Sequence, residues 1–173
     1  MDSSAKAKMI GDYVSYRRNG VCRVVDITTE NFGRQGKKQY YVLNSVYDKN
    51  VKVFVPIGSE IENDMKPLPT KEDVRRFISD SDGVELRVID DAKSRAAYFD
   101  SIISGGDRTE ILALLKMLRK NKSELENSGK KLKANDLKYL SASENIITGE
   151  FGFVLDIPRS EVVEYVYSYS SGK

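Results

Sequence analysis

The hydrophobic pattern of this chain changes period once, near Thr70, and that change sets the folds open to it. Before it, β-branched and aromatic residues come in short runs separated by Gly, Asn and Asp, as in strands joined by tight turns. After it, apolar residues recur three and four apart, as in helices with one buried face. The expectation is an α+β chain of two domains. An SH3-like or Tudor-like small β-barrel fills residues 1–68, and an all-α domain of five helices fills 69–173.

In the first domain, residues 10–17 read as a strand and Arg18-Asn19-Gly20 as a turn, because Asn-Gly is a strong tight-turn signal. Residues 21–29 read as a second strand, with Val21, Arg23, Val25 and Ile27 on one face and Cys22 and Val24 on the other. A polar, glycine-bearing turn follows at 31–36. The stretch 37–56, KKQYYVLNSVYDKNVKVFVP, is the strongest β signal in the chain. Residues 39–46 and 51–56 form a hairpin around Tyr47-Asp48-Lys49-Asn50, since Asp and Asn tolerate left-handed backbone and bond their own main chain. Pro56 has no amide hydrogen for a ladder, which places it at a strand end or sheet edge. An edge strand carrying Val53, Phe54 and Val55 is a template for another chain.

In the second domain, Thr70-Lys71-Glu72-Asp73 reads as a capping box before a short helix with Val74, Phe77 and Ile78 inside. A second helix is expected over 88–103 and a third over 107–127, with Ile111, Leu114, Leu115 and Leu118 as its stripe. A fourth covers 134–155, broken by Asp156-Ile157-Pro158. A last one covers 161–167, ahead of a disordered tail SYSSGK; the polar start MDSSAKAKMIGDY reads as a frayed lead-in.

Composition excludes several chemistries. With no histidine and a single cysteine, a zinc site, a Ser-His-Asp triad and a Cys-His dyad cannot be built, nor can an intrachain disulfide. No enzyme activity and no cofactor are expected. Cys22 reads as a core residue of its strand. No apolar run reaches the roughly 18 residues of a membrane span, and the start lacks the apolar core of a signal peptide. A cytoplasmic protein is expected, without membrane contact or small-molecule ligand. A net charge of +2 argues against a strongly basic nucleic-acid binder.

The remaining candidates are few. The acid pairs Glu60/Glu62 and Asp90/Asp91 read as solvated, and Ser104-Gly105-Gly106-Asp107 reads as a helix-to-helix turn. Lys116, Arg119, Lys120, Lys122, Lys130, Lys131 and Lys133 form a basic cluster that either offsets a helix dipole or holds phosphates. Tyr40 and Tyr41 point to opposite faces of their strand, one toward the core and one out.

Taken in order, Ile10-Gly11-Asp12-Tyr13-Val14-x-Tyr16, Asn19-Gly20-Val21, Lys38-Gln39-Tyr40-Tyr41-Val42-Leu43 and Val51-x-Val53-x-Val55-Pro56 resemble the CarD/CdnL family of bacterial transcription regulators. Ser104-Gly105-Gly106-Asp107, Gly129-Lys130-Lys131-Leu132 and Gly149-Glu150-Phe151 before Val154-Leu155 agree, so the resemblance covers about residues 9–167. It implies a Tudor-like domain that binds the β subunit of RNA polymerase, similar to the polymerase-interacting module of transcription-repair coupling factors, joined to a compact helical domain. The implied activity is non-catalytic modulation of promoter open complexes. The implied polymerase contacts are Val42, Phe54 and Pro56, and Tyr41 joins them as a candidate exposed aromatic beside Phe54.

The sequence departs from the family at its DNA-contacting positions. Relatives place a tryptophan near the start of the second helix as a minor-groove wedge. This chain has no tryptophan, and Val88 or Ala92 stands there. Leu137 and Ala142 stand where relatives carry lysines. The candidate DNA contacts are Lys93, Arg95, Lys116, Arg119, Lys120 and Lys138, giving weak, sequence-independent binding of promoter DNA. The runner-up is a Tudor/SH3-like interaction module with a partner other than polymerase. Either way the protein is expected as a monomer or an edge-strand dimer.

Overall fold

The structure, a computed structural model, describes residues 7–16, 19–34 and 36–170. The expected lead-in before residue 7, Arg17 and Arg18 of the first strand and turn, Gln35 of the following turn and the last three residues of the tail lie outside the described residues. The chain divides into two compact units, Met1–Leu68 and Pro69–Lys173.

The first unit is a five-stranded antiparallel sheet of β1 (Tyr13–Tyr16), β2 (Gly20–Glu30), β3 (Lys38–Ser45), β4 (Lys52–Pro56) and β5 (Met65–Pro67). The strand order is β4-β3-β2-β1-β5. Val14, Tyr16, Cys22, Val24, Tyr41, Leu43, Val55 and Met65 form one buried core. Val55 and Met65 come from the two opposite edges, so the sheet curls until both edge strands face one interior. A short 3-10 helix, Glu60–Asp64, links those edges.

One expectation about β2 is overturned. Its pairing passes from Val24↔Leu43 to Asp26↔Val42, leaving Val25 as an extra, bulged residue. Because side chains alternate with period two, the bulge flips everything after it. Ile27 therefore lies across from Tyr41, on the face of Cys22 and Val24 and not on that of Val21 and Arg23.

The second unit packs α1 (Lys71–Ser81), α2 (Ala92–Gly105), α3 (Arg108–Asn127), α4 (Ala134–Leu155) and α5 (Arg159–Ser170) around one core. The capping box forms as expected: Thr70 Oγ1 accepts from Asp73 N, and Asp73 accepts from Thr70 N. The bonds that the Asp73 carboxylate accepts from Thr70 N and from Thr70 Oγ1 hold its carboxyl below the usual range.

α2 starts later than residue 88. Asp91 is its N-cap, accepting from Ser94 N. Arg95 Nη1 donates to the carbonyls of Ile89 and Asp90, at 3.1 and 3.2 Å, which holds the preceding loop out of helical bonding. Val88 stays in that loop, 91% exposed. α2 ends at Gly106 in left-handed conformation (φ 73°), and Asp107 caps α3, so the helix-to-helix turn expected over Ser104–Asp107 narrows to Gly106 and Asp107, with Ser104 and Gly105 closing α2.

α3 is the hub. Besides the expected stripe it buries Leu112 and Ala113, because α1, α2 and α4 all pack against it. Each fully buried leucine contributes roughly 1.5–3 kcal/mol. Arg108 and Glu150 tie the 106–107 turn to the Gly149-Glu150-Phe151 stretch of α4. Nε–Oε1 is 2.6 Å, Nη2–Oε2 is 2.7 Å, and Nη1 donates to Gly106 O. Glu150 is 2% exposed. α5 is longer than residues 161–167: it runs through Ser170, so the first part of the expected disordered tail is helical.

Candidate functional site

β4 is an edge strand, and the ladder to β3 settles which of its backbone groups are free. Ser45 N donates to Val51 O, and Ile57 N donates to Gln39 O. Antiparallel pairs alternate between bonded and non-bonded. Between those two bonded pairs the register is Asn44↔Lys52, Leu43↔Val53, Val42↔Phe54, Tyr41↔Val55 and Tyr40↔Pro56. Val53 and Val55 therefore bond β3, while Lys52 and Phe54 turn their N–H and C=O away from the sheet. Those groups have no backbone partner among the described residues. Pro56 ends the free edge: it lacks an N–H, and its carbonyl accepts from Ser59 Oγ at 2.6 Å.

The same parity sorts the side chains. Tyr41 stands on the core face, 3% exposed, its hydroxyl accepting from Lys8 N. Its ring is spent on the interior, which corrects its assignment as a contact residue. Tyr40 and Tyr41 do take opposite faces, but both are buried. On the other face, Tyr40, Val42, Phe54 and Pro56 line up. Phe54 is 40% exposed there, and Val42 lies buried beside it on β3.

Sequence reading missed the residue that completes this face. Phe32, in the loop between β2 and β3, is 55% exposed. Its ring meets Tyr40 and Phe54 edge to face, with centroids 5.1 and 5.2 Å apart. Tyr40 and Phe54 are themselves 6.5 Å apart. The available signal was a lone aromatic in an otherwise polar turn. The result is a small aromatic patch beside a strand edge with unpaired backbone groups. Pairing gives such an edge affinity, and the adjoining rings supply an anchor.

The six candidate cations of the helical unit divide into two groups. Arg95 pairs with Asp136 (Nε–Oδ1 3.1 Å) and braces the 89–90 carbonyls. Lys116 Nζ donates to Ser81 Oγ at 2.8 Å, Asp82 Oδ1 at 2.6 Å and Ser170 Oγ at 3.1 Å, joining α1, α3 and α5. Arg119 pairs with Glu144 of α4. These three hold the fold together. Lys93, Lys120 and Lys138 are exposed. Lys120 makes only a 3.9 Å pair with Glu124, and the Lys138 ammonium lies 5.7 Å from the Tyr139 ring centroid. Lys122, Lys130 and Lys131 line a shallow groove floored by Leu132 and Leu137.

Among the described residues, no group of three His, Cys, Asp or Glu side chains is placed to hold a metal, and no helix is long and apolar enough to cross a membrane.

Residues 9–67 match the CarD-like/TRCF RID domain, a stretch that takes in all five strands of the β unit and is consistent with the CarD-like family. No curated protein matches the chain significantly.

Proposed function

We propose that this protein is a non-catalytic transcription regulator that docks on the β subunit of RNA polymerase through β4 and modulates the stability of promoter open complexes. The observation that carries the reading is the free edge at Lys52 and Phe54, beside an aromatic patch, within the segment that matches the CarD-like/TRCF RID domain. Strand addition gives main-chain affinity without any catalytic group. The helical unit adds contact with promoter DNA that is weak, electrostatic and independent of sequence, since Val88 or Ala92 offers no flat ring to wedge between bases. Of the six candidate contacts, Lys93, Lys120 and Lys138 are exposed to make it, and Lys130 and Lys131 are exposed with them.

Co-purification of the full chain from its native cell, with identification of the bound subunits, tests this. The β subunit is expected in the complex, and Pro56→Arg, which puts a bulky charge at the end of the edge, is expected to remove it. Recovery of other proteins with no polymerase would overturn the reading.

A further inference from the structure

The corner between α3 and α4 is built to a fixed shape. α3 closes in a Schellman turn: Gly129 N donates to Glu126 O at 3.0 Å and Lys130 N donates to Leu125 O at 2.8 Å, with Gly129 left-handed at φ 70°. The turn brings Lys130 and Lys131 beside Lys122 and Glu126 of α3, while Leu132 and Leu137 come from the approach and the start of α4. Together they line a shallow groove of about 340 Å³. We propose that this groove docks an acidic segment of another protein, through one large aliphatic side chain flanked by carboxylates.

The floor sets the apolar requirement. Leu132 is buried, but Leu137 is 40% exposed and offers apolar surface that is now wet. The lysine stems extend that surface while their ammonium groups stay at the rim. An aliphatic side chain placed between them covers Leu137, a gain proportional to the area removed from water. The rim sets the charge. It carries three cations and one acid, and Glu126 reaches only Lys122, at 3.9 Å between exposed groups. Lys130 and Lys131 enter no ion pair among the described residues. Carboxylates on both sides of the aliphatic residue complement this rim, and a basic segment is repelled by it. A nucleotide fits less well, since no lining residue is aromatic and none offers its base a flat surface. Duplex DNA meets the same ammonium groups through its phosphates, but that contact leaves Leu137 wet. Segment and DNA therefore compete at the rim, and only the segment reaches the floor.

Titration of the methyl-labelled full chain, followed by NMR at low salt, tests this. The probes are the peptide Gly-Asp-Glu-Leu-Asp-Glu-Gly, the same peptide with Ser for Leu, and the neutral peptide Gly-Asn-Gln-Leu-Asn-Gln-Gly. The first is expected to shift the Leu137 methyl signals and to bind at least about tenfold more tightly than the Ser peptide, the worth of burying one leucine. The neutral peptide is expected to lose binding. Leu137→Ser is expected to bring the leucine peptide down to the level of the Ser peptide, and Lys130→Glu with Lys131→Glu to abolish both. A short DNA duplex is expected to displace the peptide without reproducing the Leu137 methyl shift. Equal affinity of the leucine and Ser peptides for the wild-type chain overturns the proposal, and that comparison needs no variant to fold. Undiminished binding by the Lys130/Lys131 double variant overturns it too. A duplex that shifts the Leu137 methyls as the peptide does overturns it in favour of a nucleic-acid contact reaching the floor.

Discussion

Glu150 is the one fully buried acid among the described residues of the helical unit. It is buried, and Arg108 meets both of its oxygens. Removing either partner strands a charge in the interior, at a cost of about 3–5 kcal/mol. Glu150→Ala and Arg108→Ala are each expected to lower stability by that order in urea melts, whereas the double variant should lose less than the sum. Additive losses would show that the pair is not coupled. Cys22 makes the opposite case, a residue whose chemistry the fold suppresses. Burial pushes its thiol up to about 11. The folded state thus favours the neutral thiol, a contribution present in full below the ordinary thiol value and lost as pH rises through about 11. A maleimide reagent at pH 8 should leave the folded protein unmodified and label it fully in urea; labelling at equal rates would contradict the burial. The core role of Cys22 was legible in the sequence because it alternates within a β-branched run. Glu150 was not legible as a structural residue: a carboxylate in an apolar helix demands a partner, but that partner lies 42 positions away across a turn.

At the scale of elements, the strands and helices were legible where local signals agree, and misplaced where a tertiary contact overrides them. The hairpin and the capping box at Thr70 need only neighbours in sequence. The start of α2 depends on Arg95 reaching back to two carbonyls, and Arg95 is itself oriented by Asp136 of α4, so periodicity alone carried the helix too far toward Val88. The bulge at Val25 leaves no mark in an alternating pattern, and Phe32 was passed over because turns are read for their polar residues. The α4–α5 corner shows the same dependence on packing. A Cβ on Gly152 would stand 3.1 Å from Ile157 O and 3.3 Å from Val162 Cγ2, against a backbone with little room to yield. Gly152→Ala is expected to cost about 1–3 kcal/mol by overpacking, despite alanine's better helix propensity. Asp156, which ends α4 in left-handed conformation (φ 59°), should tolerate glycine, with a gain of up to about 1 kcal/mol. Thermal melts of the two variants moving in opposite directions would bear this out; a stabilising Gly152→Ala would refute the close approach.

For the molecule as a whole, net charge hides a division of labour among its cations. With 28 Lys and Arg against 26 Asp and Glu, the surplus is small, and three of the most suggestive cations are already committed inside the chain. Arg95, Lys116 and Arg119 serve Asp136, the end of α1 and Glu144. A phosphate would have to displace carboxylates from these side chains before gaining anything. Exposed lysines such as Lys93, Lys130 and Lys131 keep their counterions until a polyanion arrives. Each such contact with duplex DNA steepens the dependence of log affinity on log salt by about 0.9. The two groups should therefore separate experimentally. Lys130→Ala with Lys131→Ala is expected to flatten the salt slope by up to about 2 while leaving the melting temperature nearly unchanged. Arg95→Ala with Lys116→Ala is expected to leave the slope unchanged and to lower the melting temperature, because α1, α2, α4 and α5 lose their ties. Fluorescence anisotropy on one duplex between about 50 and 200 mM salt, paired with thermal melts, reads both quantities. If the Arg95/Lys116 pair of changes flattened the slope while stability held, those cations would be DNA contacts after all, and the helical unit would grip promoter DNA through the side chains that now brace its own fold.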